Sequence, residues 1–384
     1  MMRSAAGGQT GTLARFTSTV RMGQQFELEL HGPAFSRSAG ASPRLAVNVP
    51  ALITLEPAAP GYLPGARAQK AQPSLLPPQA AACDAFRLTL VQCRWHIAAN
   101  MAATVETRDV EALHQLRVGL RRLRVALVSF GGEFRTPQSE AIKLRAKVLA
   151  YELAPARDLD VFTSELLEPA ASANGSREAF AVLRARAEAA RKTAWNGAVA
   201  QIRGPRFRMF MADLADVTDR GVWSFSHPPG KGASKNIVAL EMPAQQVAER
   251  MLAQRLRQAS KRAKRLANLS TAERHELRIA LKKLRYTAEF FAPFFHQSDV
   301  KKFVSRLSRM QDVLGALNDV AVAQKILESL ISTEEPGDPH SDISFVAGVV
   351  YGWHLKRAAH DWRDAVKRWK GFADAREFWL PGAA

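Results

Sequence analysis

From about residue 85 onward, apolar residues recur every three or four positions, the spacing of an amphipathic helix. The pattern predicts helices over roughly 85–106, 110–131, 138–153, 158–168, 176–202 and 206–217. A stretch rich in breakers follows, SHPPGKGASKN at 226–236. A second helical set then covers roughly 244–267, 270–291, 299–314, 318–332 and 343–372. Before residue 85 the pattern changes. FELEL at 26–30 alternates as a strand does, and Pro, Gly and Ser are frequent up to residue 66. Residues 67–84 read as an Ala/Pro/Gln linker, and residues 1–25 as a disordered leader. The expected fold is all-α, with a short β or irregular piece at the N-terminus. The helical part spans 85–380 and divides into 85–220 and 240–380.

Two of these helices carry an unusual polar face. In HQLRVGLRRLRVALVSF (114–130), Leu116, Leu120, Leu123 and Leu127 form an apolar stripe. His114, Arg117, Arg121 and Arg124 form a second stripe beside it, with Arg122 to one side, and the segment contains no acid. Like charges at this spacing repel by a few tenths of a kcal/mol per pair. Acidic partners or a bound anion must offset that repulsion.

The same arrangement returns 161 positions later in HELRIALKKLRYTAEFF (275–291). His275, Arg278, Lys282, Lys283 and Arg285 take the places of His114, Arg117, Arg121, Arg122 and Arg124. Asp109 and Ser270 are the matching N-cap residues, and Ser270 with Glu273 forms a capping-box pattern. LAPARDLDV (153–161) aligns at the same offset with LGALNDVAV (314–322), which pairs Asp158 with Asp319. One offset held across separate segments predicts an internal duplication, with two helical bundles about a pseudo-twofold axis. Both basic helices would then face one groove. Asp158 and Asp319 are read as helix caps or as partners for a motif arginine.

Composition narrows the function. Lys and Arg total 54 against 36 Asp and Glu, a net charge of +18, which calls for a polyanionic partner. Cys83 and Cys93 supply neither a disulfide framework nor a metal site, as suits a reducing cytoplasm. No apolar run reaches the ~18 residues of a membrane span, so no membrane partner is expected. Neither a phosphate-loop glycine motif nor a His-Glu-x-x-His motif is present, and no cofactor or metal is expected.

The paired blocks HQLRVGLRRLR and HELRIALKKLRY, with RDLDV and LGALNDV behind them, resemble the CHAD family, the conserved histidine α-helical domain. YGWHLKRAAHDW, from residue 351, resembles that domain's last helix. The resemblance implies an all-helical, internally duplicated fold whose basic surface binds inorganic polyphosphate, and some members associate with polyphosphate granules. With no catalytic motif in the chain, a non-enzymatic cytoplasmic binding protein is expected. Residues 26–66 resemble the end of a CYTH domain, the triphosphate-tunnel barrel, through Glu27 and Glu29 of FELEL and through Gly61 and Tyr62. About forty residues cannot close an eight-stranded barrel, so this piece reads as a truncated remnant.

The residues expected to contact polyphosphate are those of the two rows: His114, Arg117, Arg121, Arg122 and Arg124, then His275, Arg278, Lys282, Lys283 and Arg285. Arg suits phosphate because its planar fork holds two oxygens, whereas Lys acts as a point charge. Each histidine is expected to donate to phosphate when neutral and to bind better once charged. Arg145, Arg306, Arg309, Lys302, Arg257, Lys261 and Lys264 extend the basic surface as secondary candidates. Trp353, Trp362, Trp369 and Trp379 are expected to pack and close the second bundle. Nucleic-acid binding is one rival reading, although the rows carry leucines rather than rings for base stacking. The other rival is a tripolyphosphate or nucleoside triphosphate hydrolase, which would depend on Glu27 and Glu29.

Overall fold

A computed structural model describes residues 67–130, 135–174, 178–220, 241–332, 340–373 and 377–380. The expected leader, the CYTH-like piece and the 226–236 stretch lie outside these residues. The described part is all-α and contains no sheet; extended backbone pairs only in an isolated bridge between Ala81 and Pro243.

The first set comprises α1 (Ala82–Ala102), α2 (Val110–Ser129), α3 (Pro137–Glu152), α4 (Ala154–Val161), α5 (Glu168–Ala173), α6 (Glu178–Arg203) and α7 (Pro205–Arg220). The second comprises α8 (Ala244–Arg262), α9 (Thr271–Phe291), α10 (Gln297–Ile331) and α11 (His340–Ala373). Wider π turns follow α1 and α4, at Ala103–Thr107 and Phe162–Leu167. The caps fall where the sequence puts them. Asp109 accepts from the backbone N–H groups of Glu111 and Ala112, and Ser270 forms a capping box with Glu273.

Two expectations need correction. The helices expected at 299–314 and 318–332 are one continuous helix, α10. Its only interruption signal is Gly315, which a helix tolerates. At the matching place in the first set, Pro155 does start a new helix, because its ring occupies the first turn of α4. Asp158 and Asp319 therefore lie inside helices and cap neither. The stretch before α1 is tied to the first helices. Gln69 and Asn100 exchange two hydrogen bonds of 2.9 Å, Ala68 N–H donates to Asp109, and Leu76 is buried.

Three apolar clusters hold the helices together. The first joins α1, α2, α3 and α7 to the start of α8 and the end of α9. The second joins the rest of α8 and α9 to α10 and the end of α11. Trp362 and Trp379 are buried in it and Trp369 packs against it, whereas Trp353 is exposed. The third ties the Phe162–Leu167 turn, α5 and the start of α6 to the ends of α10 and α11 that face them. Cys83 and Cys93 are buried free thiols.

Helix α2 packs tightly onto α1 at Gly119. A Cβ there would lie 2.8 Å from Ile97 Cγ1 and 3.3 Å from the Ile97 backbone nitrogen. The backbone atom cannot swing aside. Gly119→Ala is expected to cost about 1–3 kcal/mol in urea unfolding by overpacking, despite alanine's better helix propensity.

Candidate anion-binding site

Helices α2 and α9 lie side by side. Phe130 and Phe291 meet with ring centroids 5.3 Å apart, and the Ser129 and Thr287 hydroxyl oxygens are 3.3 Å apart. Beside this seam opens a cavity of about 550 Å³. It draws His114 and Arg121 from α2, and Arg278, Lys282 and Arg285 from α9. The two basic blocks thus converge on one space. Helix α11 adds His354 and Arg357, and Gly315 and Ala316 of α10 leave room on another wall.

The lining also includes Glu165, Asp312, Asp319 and Asp361. Their presence does not reverse the local field. Burial pushes the Lys282 amine down to about 6; Arg121 and Arg278 push it further the same way, and Asp319 opposes them. Burial also pushes the His114 imidazole down to about 4, reinforced by Arg157, Arg121 and Lys282 and opposed by Glu111. At neutral pH His114 is therefore uncharged and Lys282 largely so. The cavity is short of protons because burial disfavours the charged forms and the neighbouring cations reinforce that.

The half-buried Arg117 and Arg278 each face a carboxylate. Burial lowers the Arg117 guanidinium to about 10, and Asp158 opposes the shift. Burial lowers Arg278 as well, with Asp319 as the main opposing charge. In return, burial raises Asp158, against the pull of Arg117. The partner role expected for these aspartates fits this arrangement; the capping role does not. Arg117 also donates to the Ala150 carbonyl at 2.7 Å, which holds it outside the cavity wall.

Donors remain unused around the cavity. Among the described residues, the buried Nε of Arg278 and Nε2 of Gln311 have no hydrogen-bond partner. An orphaned buried donor costs about 1–3 kcal/mol, so an acceptor brought to these groups is favoured.

The other expected residues fall elsewhere. Arg122 is buried between α2 and α9, bound to Glu289 and lying over the Phe290 and Tyr286 rings. Arg285 shares that carboxylate, its Nε lying 3.1 Å from Glu289. His275 is exposed outside the cavity lining, with Nδ1 3.1 Å from Asn318 Oδ1, so the two histidines have different surroundings. Arg124 and Lys283 are half-buried away from the cavity lining. Of the secondary candidates, Arg145 pairs with Asp213, and Lys302 lies 3.3 Å from Asp299. Arg306 and Arg309 line a separate hollow of about 430 Å³ with Asp361 and Asp364. Arg257, Lys261 and Lys264 are exposed.

Sequence reasoning passed over several site residues, among them His354, Arg357 and Asp361 of α11. Their spacing of three and four puts them on one helical face, which was a readable signal. His354 is fixed there by donating from Nε2 to the Leu166 carbonyl at 2.8 Å.

The CHAD domain family model matches residues 89–328. The chain belongs to the CHAD domain family. Its fold is similar to a crystal structure of the CHAD domain from the plant Ricinus communis, with a TM-score of 0.67 and 28% identity, over 81% of this chain and 98% of that one. PptA from Streptomyces chartreusis is similar in fold, with a TM-score of 0.54 and 17% identity, over 75% of this chain and 100% of that one. No curated protein matches the chain. Within this CHAD domain, no helix of the described residues is long and apolar enough to cross a membrane.

Proposed function

We propose that this CHAD protein binds inorganic polyphosphate in the cavity beside α2 and α9, without chemical turnover, and that binding recruits it to polyphosphate granules in the cytoplasm. The convergence of Arg121, Arg278, Lys282 and Arg285 on one space carries this reading. A linear polyanion without bases needs a row of cations and room for its chain, and the cavity offers both. The CHAD family's link with polyphosphate supports the choice of ligand.

We also read the two basic blocks as copies about a local twofold axis. Residues 161 positions apart meet one another. Phe130 packs on Phe291, Arg121 acts on Lys282, and Asp158 acts on Asp319. Contacts between equivalent positions are what a twofold axis produces.

The test is titration with polyphosphate of the native protein and of Arg121→Glu with Arg278→Glu. A loss of at least roughly 100-fold is expected, since each reversal replaces attraction with repulsion in a partly buried site. Affinity should fall with salt at a log–log slope of roughly −2 to −4, taking about −0.7 per neutralised phosphate by analogy with single-stranded nucleic acid. Native affinity in the doubly reversed protein would remove the proposal.

The rival readings have their own outcomes. Tyr286, the lining's one phenol or phenyl ring, is buried, so a base finds no exposed Phe, Tyr or Trp among the lining residues to stack on. Nucleic acid should therefore be displaced by polyphosphate at a much lower phosphate concentration than the reverse. Metal-dependent phosphate release, lost in Glu27→Gln with Glu29→Gln, would favour the hydrolase.

A further inference from the structure

Several well-covered arginines in this protein meet a carboxylate. Arg94 has Asp219, Arg122 has Glu289, and Arg191 has Asp160. Arg255 of α8 is an exception. It is 7% exposed, and its hydrogen bonds run to neutral groups, Gln258 Oε1 at 3.1 Å and Ser129 Oγ at 3.3 Å. Its Nε is buried and has no hydrogen-bond partner among the described residues. A buried guanidinium without a counter-ion is costly unless an anion joins it.

Other cations collect around it. Thr287 caps the group from α9: its hydroxyl lies 3.3 Å from Ser129 and donates to the Lys283 carbonyl. Burial lowers the Lys283 amine, and Arg255, Arg262 and Arg124 each lower it further, in that order apart from the opposing Glu276. Helices α2 and α8 thus bring Arg124, Arg255 and Arg262 within electrostatic reach of Lys283 on α9, with Glu276 as the opposing acid. That acid is itself engaged, because Arg262 Nη2 lies 3.5 Å from Glu276. None of these four cations belongs to the lining of the cavity.

We infer that the junction of α2, α8 and α9 is a second oxyanion site, in which Arg255, Lys283, Arg262 and Arg124 hold phosphate groups of a polyphosphate chain that continues out of the cavity. The choice of a polymer rests on the reading of the cavity given above; the oxyanion site itself does not. Arg124 provides the continuity. It stands one turn beyond Arg121, a rise of roughly 4.5 Å, and the two guanidinium groups feel each other's charge. An anion following α2 therefore passes from a cavity cation to a junction cation without a gap. The unpaired Nε of Arg255 then serves a ligand oxygen.

Chain length separates the two sites. Tripolyphosphate reads the cavity, whereas long-chain polyphosphate reads both. Lys283→Gln with Arg262→Gln alters only side chains that reach solvent, so the fold is preserved. The expected result is native affinity for tripolyphosphate and a loss of roughly tenfold for long chains. The salt slope for long chains should become shallower by about 1–2, at about −0.7 for each phosphate no longer neutralised. Arg255→Lys, which keeps the charge and removes the fork, should weaken long-chain binding in the same selective way.

Unchanged long-chain affinity in the double variant overturns the second site and leaves the cavity reading intact. An equal loss for both ligands also overturns it, since a distant field rather than direct binding would then be at work. Selective loss for long chains, in a protein that ignores Arg121→Glu with Arg278→Glu, supports the junction and removes the cavity. Saturation of the junction by orthophosphate alone, at the affinity of a long chain, overturns the polymer assignment and makes it a free-phosphate site.

Discussion

Polyphosphate affinity is expected to fall roughly ten- to fifty-fold between about pH 6 and about pH 8, with net uptake of close to one proton per binding event. The responsible group is Lys282. Its amine titrates at about 6 in the empty cavity, because it is buried beside Arg121, Arg278 and Arg285, with Asp319 as the opposing charge. A phosphate chain adds negative charge to that space and draws the amine back towards its ordinary range. Between the two values the bound form holds a proton that the free form lacks. Affinity then drops by up to about tenfold per pH unit as pH rises.

His114 contributes lower on the scale. Its free-state value is about 4, so it affects binding near neutrality only if the bound phosphates raise it by several units. The expectation that charged histidines drive the pH response therefore passes mainly to a lysine. Calorimetry in buffers of different ionisation enthalpy counts the protons directly. Lys282→Met should flatten the profile and set affinity near the native high-pH value. A native profile that is flat from about pH 6 to about pH 8 would contradict the assignment.

Lys282 also carries a stability signature of opposite sign. Its folded value lies below the 10.5 of an unperturbed lysine, so the unfolded chain binds more protons across that window. Its contribution to stability therefore improves as pH rises from about 6 to about 10.5. Lys282→Met removes a cationic burden and should melt a few degrees higher while binding less well. Weaker binding combined with greater stability separates a ligand-facing lysine from a structural one.

Much of this was legible in the chain. The limits of α2 and α9 follow from local caps, and the apolar stripes at Leu116, Leu120, Leu277 and Leu281 correctly mark core positions that are fully buried. Both signals depend on residues within a few positions of each other. The division of labour inside each basic row was not legible. Arg121 and Arg122 are adjacent in sequence, about 100° apart on the helix, and equally basic. Which of them faces open space depends on where α9 lies, and α9 is more than a hundred residues away. The same limit hid the difference between His114 and His275. Arg157 stands beside the first and Asn318 beside the second, although 157 and 318 are matching positions. Pro155 starts a new helix after α3, whereas Ala316 at the matching position lets α10 run on unbroken.

Arg121→Ala and Arg122→Ala, neighbours in sequence, are expected to fail in opposite ways. Arg122 is 8% exposed and holds Glu289 across the α2–α9 seam, with its Cζ 4.8 Å from the Phe290 ring centroid and 5.5 Å from that of Tyr286. Its removal deletes the ion pair and both ring interactions, and leaves Glu289 with Arg285 alone. Breaking a buried pair from one side costs about 3–5 kcal/mol; since Glu289 keeps a second partner and is partly exposed, about 2–3 kcal/mol is expected here. Denaturant midpoints should record that loss, while the protein that remains folded binds polyphosphate within about twofold of native. Arg121 is half-buried at the cavity and is one of the charges that depress Lys282. Arg121→Ala relieves repulsion, so stability should hold or improve slightly, while affinity falls roughly ten- to thirty-fold with the loss of a phosphate fork. Because Lys282 also recovers part of its charge in this variant, the pH response of binding should shrink with it. Loss of affinity in Arg122→Ala at native stability would move the ligand to the other side of α2 and reassign the site.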